Sequence, residues 1–170
     1  MNKELETLFL EGLEINQQRL FRICRVYSTN SEDAKDLFQE ILIHVWGSMD
    51  AFKGKSSFST WLFRIALNVC LQFKSKHIKS QSRLIKLDSI SVENFGSDEL
   101  TEAKESDEKL ILLRTCIKSL NESDKALITL YLEELAYKEI SEILGLTENN
   151  VAVKIRRVKL KLFNCLNEVI

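Results

Sequence analysis

A run of side chains near the end of the chain has the residue types that read DNA base pairs. Asparagine can form a bidentate pair with adenine, lysine and arginine can donate to guanine, and valine can contact a thymine methyl group. Additional lysines and arginines on phosphates add affinity without sequence information. The candidate DNA-contacting residues in this run are Thr147, Asn149, Asn150, Val153, Lys154, Arg157 and Lys161.

The segment that carries these residues has the pattern of a helix-turn-helix. Apolar spacing predicts a short helix over residues 137–144 and a last helix with Val151 and Ile155 on its buried face. Between them, Gly145 suits the positive φ of a helix C-terminus, and Thr147 suits an N-cap. The second helix of this motif lies in the major groove. An ordinary helical hairpin with a basic, solvated face is the alternative.

A second basic segment, residues 51–87, contains eight Lys or Arg residues and no acidic residue. Aromatic residues are interleaved with the basic ones, and aromatic rings can stack on unpaired bases while lysines follow the backbone. Apolar spacing predicts a helix over about residues 59–76, with Phe58, Leu62 and Ile65 in the core. The remaining nucleic-acid candidates are Lys53, Lys55, Ser56, Ser57, Trp61, Arg64, Asn68, Lys74 and Lys76.

The helix predicted over residues 33–46 has a different outer face. Ser31 is its predicted N-cap, and acidic residues in the first turn suit the helix dipole. The candidate partner-binding residues on its outer face are Asp36, Gln39, Glu40 and His44. An acidic face would repel DNA, so it is either a surface for a partner protein or a solvated face. The pattern alone leaves both open.

The composition favours an all-α fold, because the 170 residues include no proline and only five glycines. Periodicity is lost between about residues 78 and 107, and so long a loop is unusual inside one compact domain. We therefore expect two small helical domains, residues 1–78 and 108–170, joined by a flexible linker over residues 79–107. Two basic segments separated by an acidic stretch suggest two sites for a polyanion.

Several function classes have little support in the sequence. No phosphate-binding loop, nucleophile motif or cluster of metal ligands is present, so we expect neither catalysis nor a metal or other cofactor. The four cysteines lie far apart and are expected to be buried free thiols. No apolar run approaches the ~20 residues of a membrane span. We therefore expect a cytoplasmic protein without stable membrane insertion.

Three motifs together resemble those of bacterial sigma factors. Residues 33–46 (DAKDLFQEILIHVW) resemble the most characteristic helix of that family, and residues 58–68 (FSTWLFRIALN) resemble the helix that follows it. Residues 139–147 (EISEILGLT) look like its C-terminal helix-turn-helix. Two short domains and a linker are similar to the extracytoplasmic-function (ECF) group, which keeps only regions 2 and 4. The resemblance covers about residues 8–168.

The resemblance implies a role for each candidate surface. Asp36, Gln39, Glu40 and His44 would bind core RNA polymerase, and the candidates between Lys53 and Lys76 would read the −10 element of promoter DNA. The candidates between Thr147 and Lys161 would read the −35 element. Membership would also imply an anti-sigma factor as a partner. Residues 150–154 depart from the sequence common in the family, so we expect a different base preference.

Two other hypotheses remain. The chain could be a stand-alone helix-turn-helix regulator that binds duplex DNA as a symmetric dimer without polymerase. It could also be a helical adaptor whose basic segments are solvated surface. Dependence of promoter binding on polymerase separates the sigma factor from the regulator, and indifference to salt would favour the adaptor.

Overall fold

The computed structural model describes the backbone of residues 2–84 and 105–169, and the side chains of residues 2–73 and 108–168. Within these ranges every regular element is a helix. The chain divides into two compact units, Met1–Thr101 and Glu102–Ile170. The prediction of an all-α fold built from two small helical domains is confirmed.

The first unit contains three long helices that all pack on one another. They are α1 (Lys3–Tyr27), α2 (Ser31–Gly47) and α3 (Phe58–Leu84), with a 3₁₀ turn (Met49–Ala51) after α2. Burial of one apolar stripe from each helix stabilises this arrangement. The fully buried core side chains include Leu20, Ile23, Leu37, Ile41, Val45, Met49, Leu62, Phe63 and Ala66.

Three local features of this unit differ from the sequence predictions. Asn30, rather than Ser31, caps α2, because its Oδ1 accepts a hydrogen bond of 2.8 Å from the Asp33 N–H. Gly47, Gly54, Ser56 and Ser57 predict a loop over residues 47–57, but this segment contains the 3₁₀ turn. Helix α3 continues to Leu84, so the first residues of the predicted linker are helical.

The second unit contains α4 (Glu105–Lys118), α5 (Glu122–Leu132), α6 (Tyr137–Leu144) and α7 (Glu148–Val169). Helix α7 packs against each of the other three. The sequence predicts that Asn121 caps α5, with Asp124 three residues later. The cap is present, since Asn121 Oδ1 accepts a hydrogen bond of 2.8 Å from the Asp124 N–H. The buried apolar side chains of this unit include Leu127, Ile128, Leu130, Ile140, Val151, Ile155, Val158 and Leu162.

The turn between α6 and α7 has the geometry that the sequence predicts. Helix α6 has the expected bounds, and Gly145 ends it with φ of 69°. The Leu146 N–H then donates to the Ser141 carbonyl at 3.0 Å, which closes the last turn. Any other residue type at Gly145 would be strained, because a Cβ disfavours positive φ.

The expectation that all four cysteines are free thiols is wrong. Cys24 and Cys70 are free and buried in the first unit, as expected. In the second unit, Cys116 of α4 and Cys165 of α7 form a disulfide, with 6.0 Å between their Cα atoms. The pairing was not predictable from spacing, because 49 residues separate the two cysteines in sequence.

Among the described residues, no helix combines the length and hydropathy needed to cross a membrane.

Candidate nucleic-acid interface

The N-terminus of α7 presents the first group of candidate residues. The Thr147 hydroxyl accepts a hydrogen bond of 3.1 Å from the Asn150 N–H, which confirms the predicted cap. Thr147, Asn149 and Asn150 are exposed, and Val153 retains 41% exposure. The opposite face of the helix is held by Val151 and Ile155, which are almost completely buried. This end of α7 is therefore anchored by its core face and open on its polar face.

The basic residues of α7 differ in how far they are already engaged. Lys154 is half-buried and Arg157 is exposed. Lys161 forms an ion pair of 2.6 Å with Asp124 of α5. Lys159 donates to the Tyr131 hydroxyl at 2.6 Å and lies 4.4 Å from the centre of its ring. That hydrogen bond with Tyr131 raises the pKa of Lys159, so this ammonium stays charged.

Three aromatic rings form a cluster where the loop after α2 meets α3. The Phe52 ring lies 5.6 Å from Phe58 and 5.2 Å from Trp61, and the Phe58 and Trp61 rings are 5.6 Å apart. All three side chains are half-buried. Such edge and tilted contacts stabilise one another beyond simple area burial. The cluster therefore holds Trp61 in place while part of its ring stays accessible.

The loop before α3 is shaped by short polar contacts. The Ser57 hydroxyl accepts from the Thr60 N–H at 3.1 Å, as an N-cap does, and donates to the Thr60 hydroxyl at 2.9 Å. Lys53 donates to the Asp50 carbonyl at 3.1 Å, and Gly54 has φ of 72°. Lys53, Lys55 and Ser57 are exposed, and Ser56 is half-buried.

Helix α3 continues this surface beyond the loop. Trp61, Arg64 and Asn68 follow one another at helical spacing, and Arg64 and Asn68 are exposed. The contacts of Phe52 with Phe58 and Trp61 thus place the loop beside the first turn of α3. The side chains of Lys74 and Lys76 lie outside the described residues.

Helix α1 supports this surface through two residues that the sequence gave no reason to single out. Asn16 is 1% exposed, and its amide donates to the Gly12 carbonyl at 2.8 Å and to the Ser59 hydroxyl at 3.0 Å. A Cβ on Gly12 would overlap the ring of Phe58. Gly12 therefore permits close approach between α1 and the aromatic cluster. Only contacts between residues far apart in sequence reveal these roles.

The outer face of α2 forms a separate polar stripe. Asp36, Gln39 and His44 are exposed and Glu40 is half-buried, as the helical spacing predicts. Ile43 lies between them in the same stripe and is 70% exposed. A single exposed isoleucine needs no explanation by itself, because isolated apolar side chains are common on protein surfaces.

Among the described residues, no group of three or more histidine, cysteine or acidic side chains is placed to hold a metal ion.

Comparison with known protein families assigns both units. The family model of sigma-70 region 2 matches residues 13–83, and that of sigma-70 region 4 matches residues 110–162. The ECF RNA polymerase sigma-E factor of Escherichia coli K12 is 33% identical over 141 residues, which cover 76% of this chain and 71% of that protein. The chain belongs to the ECF sigma factors.

A second relative comes from another bacterium. The RNA polymerase sigma factor YlaC of Bacillus subtilis (strain 168) is 28% identical over 134 residues, covering 77% of this ECF sigma factor and 76% of YlaC. The function of the chain is therefore that of a sigma factor, a subunit that works with core RNA polymerase at promoter DNA in transcription initiation. A stand-alone helix-turn-helix regulator is not favoured.

Two solved structures share the fold of this sigma factor. The sigma factor RpoE, in complex with the anti-sigma factor NepR from Bartonella quintana, matches with a TM-score of 0.70 at 21% identity, covering 94% of this chain and 96% of RpoE. CnrH, in complex with the cytosolic domain of CnrY, matches with a TM-score of 0.68 at 19% identity, covering 94% and 88%. At this identity the likeness concerns the fold alone.

Proposed function

We propose that the two units of this ECF sigma factor divide promoter recognition between them. Residues 1–78 bind core polymerase and the −10 element, residues 79–107 link the units, and residues 108–170 bind the −35 element. The observation that carries this proposal is the N-terminus of α7, where the Thr147 cap leaves Asn149 and Asn150 exposed. Exposed amides at a capped helix N-terminus suit base edges and the flanking phosphates.

In the −35 domain, Asn149, Asn150, Val153 and Lys154 contact base edges in the major groove. Arg157 lies one turn further along α7 and contacts a phosphate, which fixes the register of the helix on the duplex. Lys161 contacts phosphate only after exchanging its Asp124 partner, because that ion pair already satisfies its charge. This division predicts that sequence preference resides in the first two turns of α7.

In the −10 domain, an unpaired base of the non-template strand stacks on the accessible part of Trp61. Lys53, Lys55, Arg64, Lys74 and Lys76 follow the backbone of the single strand, and Asn68 contacts a base edge. Ser56 and Ser57 shape the loop, and the Ser57 hydroxyl is engaged in capping α3. Extruding a base costs a few kcal/mol, which stacking and pocket contacts offset.

The polar stripe of α2 binds core polymerase. Asp36 and Glu40 supply negative charge toward a basic partner surface, Gln39 and His44 complete the rim, and Ile43 is the apolar centre. Charge complementarity of this kind raises the rate of association and selects the partner. The negative charge also distinguishes the polymerase-binding face of α2 from the basic surface of α3, which suits nucleic acid.

Run-off transcription tests this proposal with core polymerase from the same source and a library of promoters. We expect promoter-specific transcripts only when the sigma factor is added. Reversing charge at Asp36 and Glu40 to lysine should weaken polymerase binding in a pull-down. The matched control reverses Glu11 and Glu14, two exposed acids of α1, and should leave binding unchanged. Equal binding by both double variants would place the polymerase surface elsewhere.

We further propose that the chain acts without catalysis, in the cytoplasm, under the control of an anti-sigma factor. Support comes from the two solved structures, in which the sigma factor RpoE is bound to the anti-sigma factor NepR and CnrH is bound to the cytosolic domain of CnrY. Co-purification of the chain from its own cells, with and without cross-linking, tests the last point. An anti-sigma factor should be recovered in addition to polymerase, and recovery of polymerase alone under every growth condition would contradict it.

A further inference from the structure

The molecule contains two pairs of neighbouring cysteines, and the structure holds them in different states. In the second unit, Cys116 and Cys165 are joined by a disulfide between α4 and α7. In the first unit, Cys24 of α1 and Cys70 of α3 are free and buried. Disulfides inside cells are usually transient and redox-sensing rather than structural. The oxidised pair is therefore a candidate for a redox-sensing site.

The disulfide attaches α4, a helix with few fully buried side chains, to α7. Among the described side chains of α4, only Cys116 and Ile117 are buried, and Leu110 is 55% exposed. Helix α7, in contrast, buries a full apolar stripe against its neighbours, including Val151 and Ile155. Few buried apolar contacts indicate a low free energy of local opening. The covalent link thus adds to a limited apolar contact between α4 and α7.

The two pairs also differ in how readily a small reagent can reach them. Cys165 is half-buried, whereas Cys116 is only 2% exposed, so Cys165 is the more accessible residue of the pair. Both cysteines of the first unit have no exposed surface. There, the hydrogen bond with Cys24 and burial raise the pKa of the Cys70 thiol well above its usual value. Because the thiolate is the reactive form, exchange is confined to the second unit.

We propose that Cys116 and Cys165 form a reversible thiol–disulfide site, whose oxidised state fixes α4 on α7 and whose reduced state lets α4 detach. Its reagents are low-molecular-weight thiols and their disulfides, of which glutathione is the probe. The site lies about 15 residues beyond Asn150, on the order of 22 Å along the helix. It therefore acts on the anchorage of α4 and leaves the base-facing turns of α7 in place.

The chemistry is two successive thiol–disulfide exchanges. A glutathione thiolate attacks the Cys165 Sγ, the protein S–S bond breaks, and Cys116 leaves as a thiolate that takes up a proton. A second glutathione thiolate attacks the glutathione sulfur of the mixed disulfide, which releases Cys165 and forms glutathione disulfide. The protein gains two electrons and two protons, and two glutathione molecules are oxidised to one disulfide. Oxidation of the site is the reverse sequence.

The first test measures which cysteines exchange. The full-length chain is equilibrated at a series of ratios of reduced to oxidised glutathione, quenched in acid, alkylated and analysed by mass spectrometry. We expect Cys116 and Cys165 to become protected together over one range of ratios, while Cys24 and Cys70 stay alkylatable after denaturation. Absence of the Cys116–Cys165 disulfide at every ratio would overturn the proposal, as would equal oxidation of both pairs.

The second test measures how reduction of the disulfide changes the local stability of α4. Hydrogen exchange is compared between the oxidised and the reduced chain without any substitution, so that no variant has to fold. We expect exchange at least about tenfold faster over residues 108–118 and the last turns of α7 after reduction. The rest of the chain, including α5, α6 and the first turns of α7, should be unchanged.

Variants confirm that the effect belongs to this pair. The Cys165→Ser chain should show the hydrogen-exchange rates of the reduced natural chain, and these rates should no longer change with glutathione. The matched control, Cys24→Ala, removes a thiol from the other pair and should keep the full response. If hydrogen exchange over α4 were unchanged after reduction, the proposal that the disulfide fixes α4 on α7 would be refuted. Faster hydrogen exchange across the whole second unit would also refute it, because the effect would then not be local. Neither measurement uses DNA or polymerase, so both are independent of the promoter-contact assignments.

Discussion

The two candidate DNA surfaces of this sigma factor are built on different principles. The −35 surface is the beginning of one regular helix, positioned by a glycine in the left-handed region and a threonine cap that lie beside it in sequence. The −10 surface is a loop joined to a helix, and its shape depends on an aromatic cluster braced by α1. A duplex presents a regular groove, whereas an unpaired base requires an irregular platform. The difference teaches that local sequence suffices for the first surface and tertiary packing is needed for the second.

The largest effect should come from a buried charge in the −35 domain. Replacing Ile155 by aspartate places an unpaired carboxylate in a side-chain site that is 1% exposed. The cost is several kcal/mol, which is comparable to the whole stability of a small domain. Urea unfolding followed by circular dichroism should lose the transition of the second unit and keep that of the first. The adjacent, exposed Arg156→Asp is the matched control, and similar unfolding of both variants would contradict the core assignment.

Substitutions on the two surfaces should separate promoter opening from duplex recognition. Trp61→Ala should destabilise the open complex by about 1–3 kcal/mol, the value of one lost stacking contact, and should therefore lower the fraction of promoter that is open. Asn150→Ala should weaken binding to the −35 duplex by about 1–3 kcal/mol and relax preference at one position. Permanganate footprinting measures opening, and competition with a −35 duplex measures recognition.

Two controls belong to that pair of variants. Trp61→Phe keeps an aromatic face and should recover much of the opening, while Lys109→Ala removes an exposed charge from α4 and should leave −35 recognition intact. If Trp61→Ala and Asn150→Ala impaired opening and duplex recognition alike, the division of labour between the surfaces would be wrong.

A smaller effect should show that the packing of α1 against Phe58 supports the proposed −10 surface. Gly12→Ala gains about 0.8–1 kcal/mol of helix propensity, but its methyl group overlaps the Phe58 ring, and overpacking costs about 1–3 kcal/mol. We expect net destabilisation of the first unit in urea unfolding and reduced promoter opening. Gly47→Ala is the matched control, because a Cβ there meets nothing within 4 Å. Equal stability of the two variants would exclude a role for the close approach at Gly12.

The smallest effect concerns a strained residue before the helix-turn-helix. Glu134 has φ of 62°, and a non-glycine residue in this region costs about 1–2 kcal/mol. Glu134→Gly removes this cost. It also makes the unfolded chain more flexible, which destabilises the folded state by about 0.4–1 kcal/mol. The second unit should therefore become more stable by about 0.5–1 kcal/mol in the same urea titration. A loss of stability would mean that the Glu134 side chain contributes more than its backbone strain costs.

Sequence reasoning succeeded where the controlling signal is local. The bounds of α6, the conformation of Gly145 and the caps at Asn121 and Thr147 depend on residues within one or two turns of each other. The same is true of the exposed stripe on α2. Helical periodicity and cap chemistry are short-range properties, so a single sequence carries them.

Sequence reasoning failed where the partner lies in another helix. Phe58 and Ile65 were expected in the core with Leu62, but the structure leaves both half-buried. The disulfide of Cys165 and the buried amide of Asn16 depend on helices that meet only after folding. Nothing in the spacing of a single helix indicates which distant side chain will lie against it. The sequence alone therefore allows candidate residues of the proposed −10 surface to be named, but it does not give their arrangement.

The ion pair between Lys161 and Asp124 has a consequence for the release of counterions from DNA. The logarithm of the binding constant falls with the logarithm of salt concentration by about 0.9 for each phosphate that a protein neutralises. A lysine that keeps its carboxylate partner at 2.6 Å neutralises no phosphate, so it releases no counterion from the DNA. The charge count of α7 thus overstates how steeply −35 binding should depend on salt. Asp124→Asn would free this lysine and steepen the slope by about one unit.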